Sequence, residues 1–333
     1  MTVAEQGRAA GDRPHVVALG GGHGLAAGLG ALRRLPVTPC AVVTTADDGG
    51  SSGRLRRDLG IIPPGDLCMA LLALAGDGPW QAVLEHRFER GEVAGHALGN
   101  LVLVAMAEQR GGDFVRALDD AAELLACAGR VLPTTTASVQ LAAHVAGQPL
   151  RGQARITSVE APVEEVWLEP ADPPGCPAAL EAIAAADAIV LGPGSLYTSV
   201  VASLLVPDVA AAVAAVDGPV AYVANLRTQR GESAGLDLPA HVAAVQRQLG
   251  GRPLDVIVAH DGPVRREPDA HPDPAPIRGD VPARLARRVE RADLAARDAH
   301  GAVRAVHDPE RLAGALARAL AVEVGAGAGA DRR

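Results

Sequence analysis

Two strand-to-loop junctions in succession, both rich in glycine, constrain this chain more than any other feature. An apolar run over residues 16–19 leads into Gly20-Gly21-Gly22-His23-Gly24. A second apolar run, over residues 40–43, leads into Thr44-Thr45-Ala46-Asp47-Asp48-Gly49-Gly50-Ser51-Ser52-Gly53-Arg54. Short apolar runs of this kind suit strands buried on both faces of a parallel sheet. Open α/β sheets bind ligands beyond the carboxyl ends of such strands. The expected fold is therefore α/β, a doubly wound and mostly parallel sheet.

The alternation continues along the chain, with one long interruption. A helix is expected over residues 25–34 and a loop over 45–53. Four helical patterns follow without a strand between them, over 67–75, 79–90, 99–109 and 113–128, and mark a helical insertion at about 64–130. Short strands at 131–133 and 139–144 lead into a β-like stretch, broken by Pro and Gly, through residue 168. Helix 178–186, strand 188–191, helix 196–205, strand 220–224, helix 239–249 and strand 256–259 restore the βα rhythm. Residues 260–282 read as a surface excursion, 303–306 as a late strand, and Asp308-Pro309 as the start of a last helix ending near residue 321. The expectation is one domain over 15–322, with a disordered lead (1–14) and tail (323–333).

Composition limits what the sheet edge can hold. All 31 basic residues are arginine. A Walker phosphate loop needs its lysine, and Schiff-base chemistry needs one too, so both are excluded. Any anion must be held by backbone N–H groups, arginines or a metal. A net charge of −8 and 2% aromatic residues argue against a nucleic-acid partner. Cys40, Cys68, Cys127 and Cys176 form no Cys-x-x-Cys pair and no zinc spacing, which suits a reduced, cytoplasmic setting. The first 13 residues lack a signal-peptide core, and no apolar run is long enough to span a bilayer.

Four strand exits carry candidate chemistry. The 20–24 loop opens a helix, so its N–H groups and the helix dipole suit phosphate. Its glycines would serve a tight turn equally well, and Leu25 breaks the G-x-G-x-x-G dinucleotide spacing. Asp47 and Asp48 leave a strand in different directions and do not form an acid/base dyad. They suit ligand or metal contact, or helix capping, beside Gly49, Gly50, Ser51, Ser52 and Arg54. Gly192-Pro193-Gly194-Ser195, with Thr198 following, is a second candidate anion cradle. Ser195 is not in G-x-S-x-G and reads as a phosphate-binding hydroxyl rather than a nucleophile. Asn225, Thr228 and Gln229 suit a base, ribose or phosphate, or simply a polar surface loop. His96, with Asn100 after it, either caps a helix or touches ligand.

Together these motifs resemble the CofD-like superfamily, and within it the YvcK group. The resemblance rests on GGGHGL (20–25), TTADDGGSSGRLR (44–56), PPGD (63–66), HRFERG (86–91), GHALGNL (95–101), VLPTTT (131–136), GPGSLYTSV (192–200) and NLRTQRGES (225–233). It implies a Rossmann-like fold with an embedded helical insertion and a cytoplasmic protein that binds a nucleotide sugar such as UDP-N-acetylglucosamine. It also implies a regulatory link to cell shape, peptidoglycan synthesis and gluconeogenic growth, with no established reaction and no required cofactor. The downstream protein partner is unnamed, and a homodimer is compatible with the class. CofD-like relatives imply an alternative, transfer of a 2-phospholactate-type group onto a deazaflavin with Mg²⁺, with Asp47, Asp48 and Asp66 at the metal. A dinucleotide could also bind, but an NAD(P)-dependent oxidoreductase rests on fold alone. By the same resemblance, Cys68 stands where arginine is usual, Ala202 where proline is usual, and Ala240 where aspartate precedes His241. Arg54 is the expected compensation for the guanidinium lost at Cys68.

Overall fold

The computed structural model describes residues 13–264 and 275–322. β1 (His15–Gly20) runs into α1 (Gly22–Leu32) and β2 (Thr38–Val43). Five helices follow: α2 (Gly50–Leu59), α3 (Gly65–Ala75), α4 (Pro79–Glu85), α5 (Leu98–Gln109) and α6 (Phe114–Leu124). After β3 (Arg130–Pro133) come β4 (Gln140–Val145), β5 (Gln148–Arg151), α7 (Gln153–Thr157), β6 (Val163–Glu169) and α8 (Pro177–Ala184). β7 (Ala188–Leu191) is followed by a π-helical turn (Leu196–Val201), α9 (Ala202–Leu204) and α10 (Pro207–Ala215). β8 (Val220–Val223), α11 (Leu238–Gln248), β9 (Leu254–His260) and β10 (Ala286–Ala292) complete the main sheet. A hairpin of β11 (Ala295–Arg297) and β12 (Val303–His307), then α12 (Pro309–Leu320), end the described chain.

The main sheet has seven parallel strands in the order β10-β9-β8-β7-β1-β2-β3. The chain first builds outward from β1 to β3, then crosses back to add β7 on the other side. The strand order reverses at β1, where Val17 lies opposite both Cys40 and Ile189. This is the topological switch point of a doubly wound fold. A separate antiparallel sheet, β5-β4-β6, covers part of one face.

Strand alternation supplies two cores. Val17, Leu19, Ile189, Leu191 and Tyr222 point to the face packed by the β4–β6 sheet, α8 and α11. Val16, Ala18, Val190 and Val223 point to the other, against Leu25 and Leu29 of α1, Leu67 and Leu71 of α3, and Leu312 and Leu316 of α12. Each such buried aliphatic side chain contributes roughly 1.5–3 kcal/mol. No single helix among the described residues is long and apolar enough to cross a membrane.

The structure departs from the sequence expectations at identifiable places. The glycine-serine string is not all loop: α2 begins at Gly50, buries Leu55 and ends at Gly60, whose left-handed φ of 68° closes the helix. Helix 196–205 begins as a π-turn, with the Val200 N–H bonded to the Ser195 carbonyl. The helix expected at 79–90 stops at Glu85, and that at 113–128 stops at Leu124. α10 and β10 were not anticipated. β10 reads ARRVERA because it is an edge strand, where charge guards against further pairing. Pro14, expected in the lead, accepts from the Thr38 N–H at 2.8 Å. The rest of the lead (1–12), the tail (323–333) and residues 265–274 of the excursion lie outside the described residues.

Tyr222 carries the largest fully buried side chain, and its hydroxyl has no hydrogen-bond partner among the described residues. A buried hydroxyl without a partner costs about 1–3 kcal/mol. Tyr222→Phe should therefore raise stability, by about 1 kcal/mol. The urea midpoint reads this, and a lower midpoint would contradict it.

Candidate functional site

The loops after β1 and β7 touch at the switch point. A Cβ on Gly24 would fall 2.6 Å from Gly194 Cα and from the Pro193 carbonyl oxygen, so only glycine lets α1 seat there. Ser199 Oγ donates to the Gly21 carbonyl (3.1 Å), locking the loops together. Above them opens a cleft of about 530 Å³. Gly21, Gly22, His23 and Gly24 form one wall, with Asp47 and Asp66 beside them. Gly194, Ser195, Thr198, Asn225, Thr228 and Gln229 form the other.

The helical turns that follow both glycine loops each receive a carboxylate from the chain itself. Glu232, only 2% exposed, accepts from the N–H groups of Tyr197 (2.7 Å) and Thr198 (2.9 Å) and from Thr198 Oγ1 (3.1 Å). Burial raises its pKa, while those donors favour the charged form. The Tyr197 and Thr198 amides are thus taken, while Gly194 and Ser195 of the expected cradle line the cleft. At α1, Asp66 accepts from the Gly22 N–H. Burial first, and then the neighbouring Asp47, push Asp66 up to about 7. Asp47 is also raised, chiefly by burial, although the Gly49 N–H (3.0 Å) and the Ser52 hydroxyl bond to it.

Asp47, Asp66 and His23 also border a second lobe of about 750 Å³ beneath the helical insertion. Gly49, Gly50, Ser51, Ser52 and Asn100 line it. Ser52 Oγ accepts from the Gly65 N–H (3.0 Å), tying α2 to the start of α3. Ser51 Oγ meets His96 Nδ1 at 2.9 Å and accepts from Asn100 Nδ2 at 3.1 Å, tying α2 to α5. Cys68 is part of the wall, and burial pushes its thiol up to about 12, so it stays neutral.

Five of the expected site residues line neither lobe: Gly20, Asp48, Arg54, His96 and Gly192. Gly20 and Gly192 lie behind the loops. Asp48 Oδ1 accepts from the Ala154 N–H (2.9 Å), anchoring the β4–β6 layer. Arg54 Nη2 donates to the Ala94 carbonyl (2.8 Å) in the loop before α5. It therefore does not replace a guanidinium at Cys68. His96 serves as the partner of Ser51.

Other side chains join the site, the guanidinium groups of the 225–233 motif and several from outside the expected motifs. Arg227 and Arg230 line the first lobe, the latter paired with Glu160 at 3.1 Å. Arg33 and Arg87 line the second. His307, at the end of β12, closes the first lobe. Burial pulls its ring down to about 4, so it is neutral at pH 7, and its Nε2 has no partner among the described residues. The only signal for it was a histidine at a strand exit just before the Asp308 helix cap.

The raised Asp66 gives a test. Its folded value of about 7 lies above the ordinary 3.8, so its contribution is fully present below pH 3.8 and is lost as pH rises through 7. Wild type should lose on the order of 3 kcal/mol between pH 4 and pH 8, and Asp66→Asn should remove most of that loss. Urea unfolding at both pH values measures it; equal losses in the two proteins would contradict the assignment.

Comparison with known proteins agrees with this architecture. A family model described as 2-phospho-L-lactate transferase CofD matches residues 16–295. The chain is 42% identical over 326 residues to a putative gluconeogenesis factor of Mycobacterium tuberculosis, covering 93% of this chain and 92% of the relative. It is 39% identical over 253 residues to the gluconeogenesis factor of Bacillus subtilis, covering 75% and 80%. The crystal structure of protein BH3568 from Bacillus halodurans superposes with a TM-score of 0.83 at 34% identity, covering 92% of this chain and 99% of that one. With the switch-point cleft and the family model spanning most of the chain, the protein belongs to the CofD family, alongside relatives named gluconeogenesis factor.

Proposed function

We propose that the chain is a cytoplasmic regulatory protein that binds a nucleotide sugar of the UDP-N-acetylglucosamine type. It would link that ligand to peptidoglycan synthesis, cell shape and gluconeogenic growth. One observation carries this reading: the far wall of the first lobe sets neutral hydrogen-bonding groups, Ser195, Asn225, Thr228 and Gln229, beside the guanidinium groups of Arg227 and Arg230. Ser195 Oγ accepts from Gln229 Nε2 (2.9 Å), and Gln229 Oε1 accepts from Asn225 Nδ2 (3.3 Å). An amide beside the serine is no general base, so Ser195 is not activated for attack. Amides and hydroxyls do suit sugar hydroxyls and the edge of a base. With the Gly22 amide engaged by Asp66, a diphosphate is met by the arginines of the 225–233 loop or by a cation at the two aspartates. The name gluconeogenesis factor on relatives supports the metabolic link.

A second reading, a CofD-type transferase, is favoured by Asp47 and Asp66 at the junction of two lobes. Their raised pKa values reflect burial and proximity, which a dication would relieve. Mg²⁺ is commonly held by one or two carboxylates plus substrate phosphates, so this donor pair fits it. Bound there, it would neutralise charge on a donor diphosphate. Asp48, held at Ala154, is not part of that pair. Against this reading, no Phe, Tyr or Trp lines either lobe to sandwich a deazaflavin.

Calorimetry with UDP-N-acetylglucosamine should give saturable binding, weakened about tenfold by Gln229→Ala. No heat at millimolar ligand would sink the first reading. Incubation with a guanylyl diphosphate donor, deazaflavin and Mg²⁺, read by mass spectrometry, decides the second. Turnover lost in Asp66→Asn would favour transfer over binding.

A further inference from the structure

Of the six large hydrophobic side chains exposed among the described residues, only Val306 (45% exposed) lines either lobe of the cleft. It stands on β12 next to Ala305, and both line the first lobe together with Ala27 of α1 and Leu226 at the exit of β8. These four are the only aliphatic side chains of that lobe among the described residues; glycines and polar groups line the rest. An apolar surface open to water inside an otherwise polar cleft is where the apolar part of a ligand gains most by leaving water.

The fold holds this surface in place. The buried His307 ring, next to Val306, bonds to the backbone carbonyl of Ala224, the residue before Asn225. At the base of the hairpin, the Asp308 N–H donates to the Leu294 carbonyl (2.8 Å) and the Leu294 N–H donates to His260 Nδ1 (3.0 Å). Asp293 pairs there with Arg297 (2.6 Å) and Arg311 (2.8 Å). The loop after β8 is fixed as well: the Thr228 N–H donates to the Ala275 carbonyl (2.8 Å), and the Ala275 N–H donates to Thr228 Oγ1 (2.9 Å). Hairpin and loop are therefore preformed walls.

The two ends of the lobe differ in chemistry. Asp47 and Asp66, its only carboxylates among the described residues, belong to the β1–β2 end, where a Cβ on Gly21 would meet both Asp66 and Thr44. β8 lies two strands from β1 and three from β2, about 10–14 Å at the usual strand spacing. The aliphatic surface belongs to the β8 end, beside Asn225 and Arg227.

We infer that the β11–β12 hairpin seats the nucleobase of the ligand, with Ala305 and Val306 against its ring face, and that this end of the lobe takes uracil in preference to guanine. The inference rests on the nucleotide reading of the cleft given above. Within a nucleotide sugar the base offers the flat apolar face, whereas the diphosphate and the sugar offer charge and hydroxyl groups. Uracil sets one N–H between two carbonyls, which an amide such as Asn225 and a guanidinium such as Arg227 can meet. Guanine sets an N–H beside an amino group, a pattern suited to a carboxylate, and the β8 end of the lobe has none among the described residues.

The test follows UDP binding to the full chain by calorimetry and by nuclear Overhauser effects from valine methyl groups. The uracil H5 and H6 protons should show effects to the Val306 methyls. Val306→Asn, at an exposed position, should keep the circular dichroism of wild type and weaken UDP about five- to tenfold. GDP should bind wild type at least about tenfold more weakly than UDP. Unchanged UDP affinity in Val306→Asn, effects to Val306 from the sugar instead of the uracil, or GDP binding as tight as UDP overturns the inference. UDP-N-acetylglucosamine separates it from the nucleotide-sugar reading. If Val306→Asn weakens UDP while the N-acetylglucosamine adds no affinity, the base seat stands and the sugar reading fails. If UDP-N-acetylglucosamine binds equally to wild type and Val306→Asn, the sugar reading stands and the base seat fails. No binding of either nucleotide removes both.

Discussion

The contact of Gly24 with Gly194 is the constraint on which the rest of the site depends. A parallel sheet that reverses its strand order leaves a gap between the loops of the two central strands. Here the gap becomes a shaped cleft because α1 presses directly onto the 192–194 loop, with no side chain between them. Ser199 then bonds across to Gly21, and the π-turn carries Ser195 and Thr198 to the cleft wall. Had α1 stood off by the width of one methyl group, the two walls would not face each other at hydrogen-bonding range.

That close seating creates an electrostatic problem, which the chain resolves internally. Two helical N-termini converge on the cleft, and each presents unsatisfied N–H groups and positive potential. Glu232 answers one and Asp66 the other. The two answers are not equivalent. Glu232 is buried with a hydroxyl and two amides around it, and it binds the 225–233 loop to the π-turn as one unit. Asp66 instead borders both lobes and sits beside a second, half-buried carboxylate, so its charge state is poised near neutrality. The first carboxylate is architecture, whereas the second faces whatever enters the cleft.

Much of this arrangement was legible in the sequence. Central strands such as Val16–Leu19 and Ile189–Leu191 appear as apolar runs because both faces of a parallel sheet are covered. The polar strings at their exits mark where the sheet edge opens. Legibility fails where a residue's partner is distant in the chain. Nothing local in Asn225–Ser233 says that Glu232 reaches back to Thr198, and nothing in Asp47-Asp48 says which aspartate turns to the cleft and which to Ala154. It also fails where polarity hides regular structure. α2 is glycine, serine and arginine held by Ser51 and Ser52, and β10 is an edge strand written largely in charge. His307 enters the site only through a hairpin that folds back over α1.

The division into two lobes bears on why one family can include transferases and proteins named as factors. Transfer between two bound molecules requires two compartments that share a charged junction, and Asp47 with Asp66 is such a junction. Regulation requires only that one compartment bind and that the result be felt elsewhere. Ser51, Ser52, His96 and Asn100 tie α2, which follows directly on Asp47, to α3 and α5 of the helical insertion. A ligand that changes the charge or position of Asp47 therefore acts on Ser52, and through it on the start of α3. α3 also carries Asp66 and Cys68 to the wall of the second lobe. The same hydrogen bonds that border the junction thus join the cleft to the helical insertion.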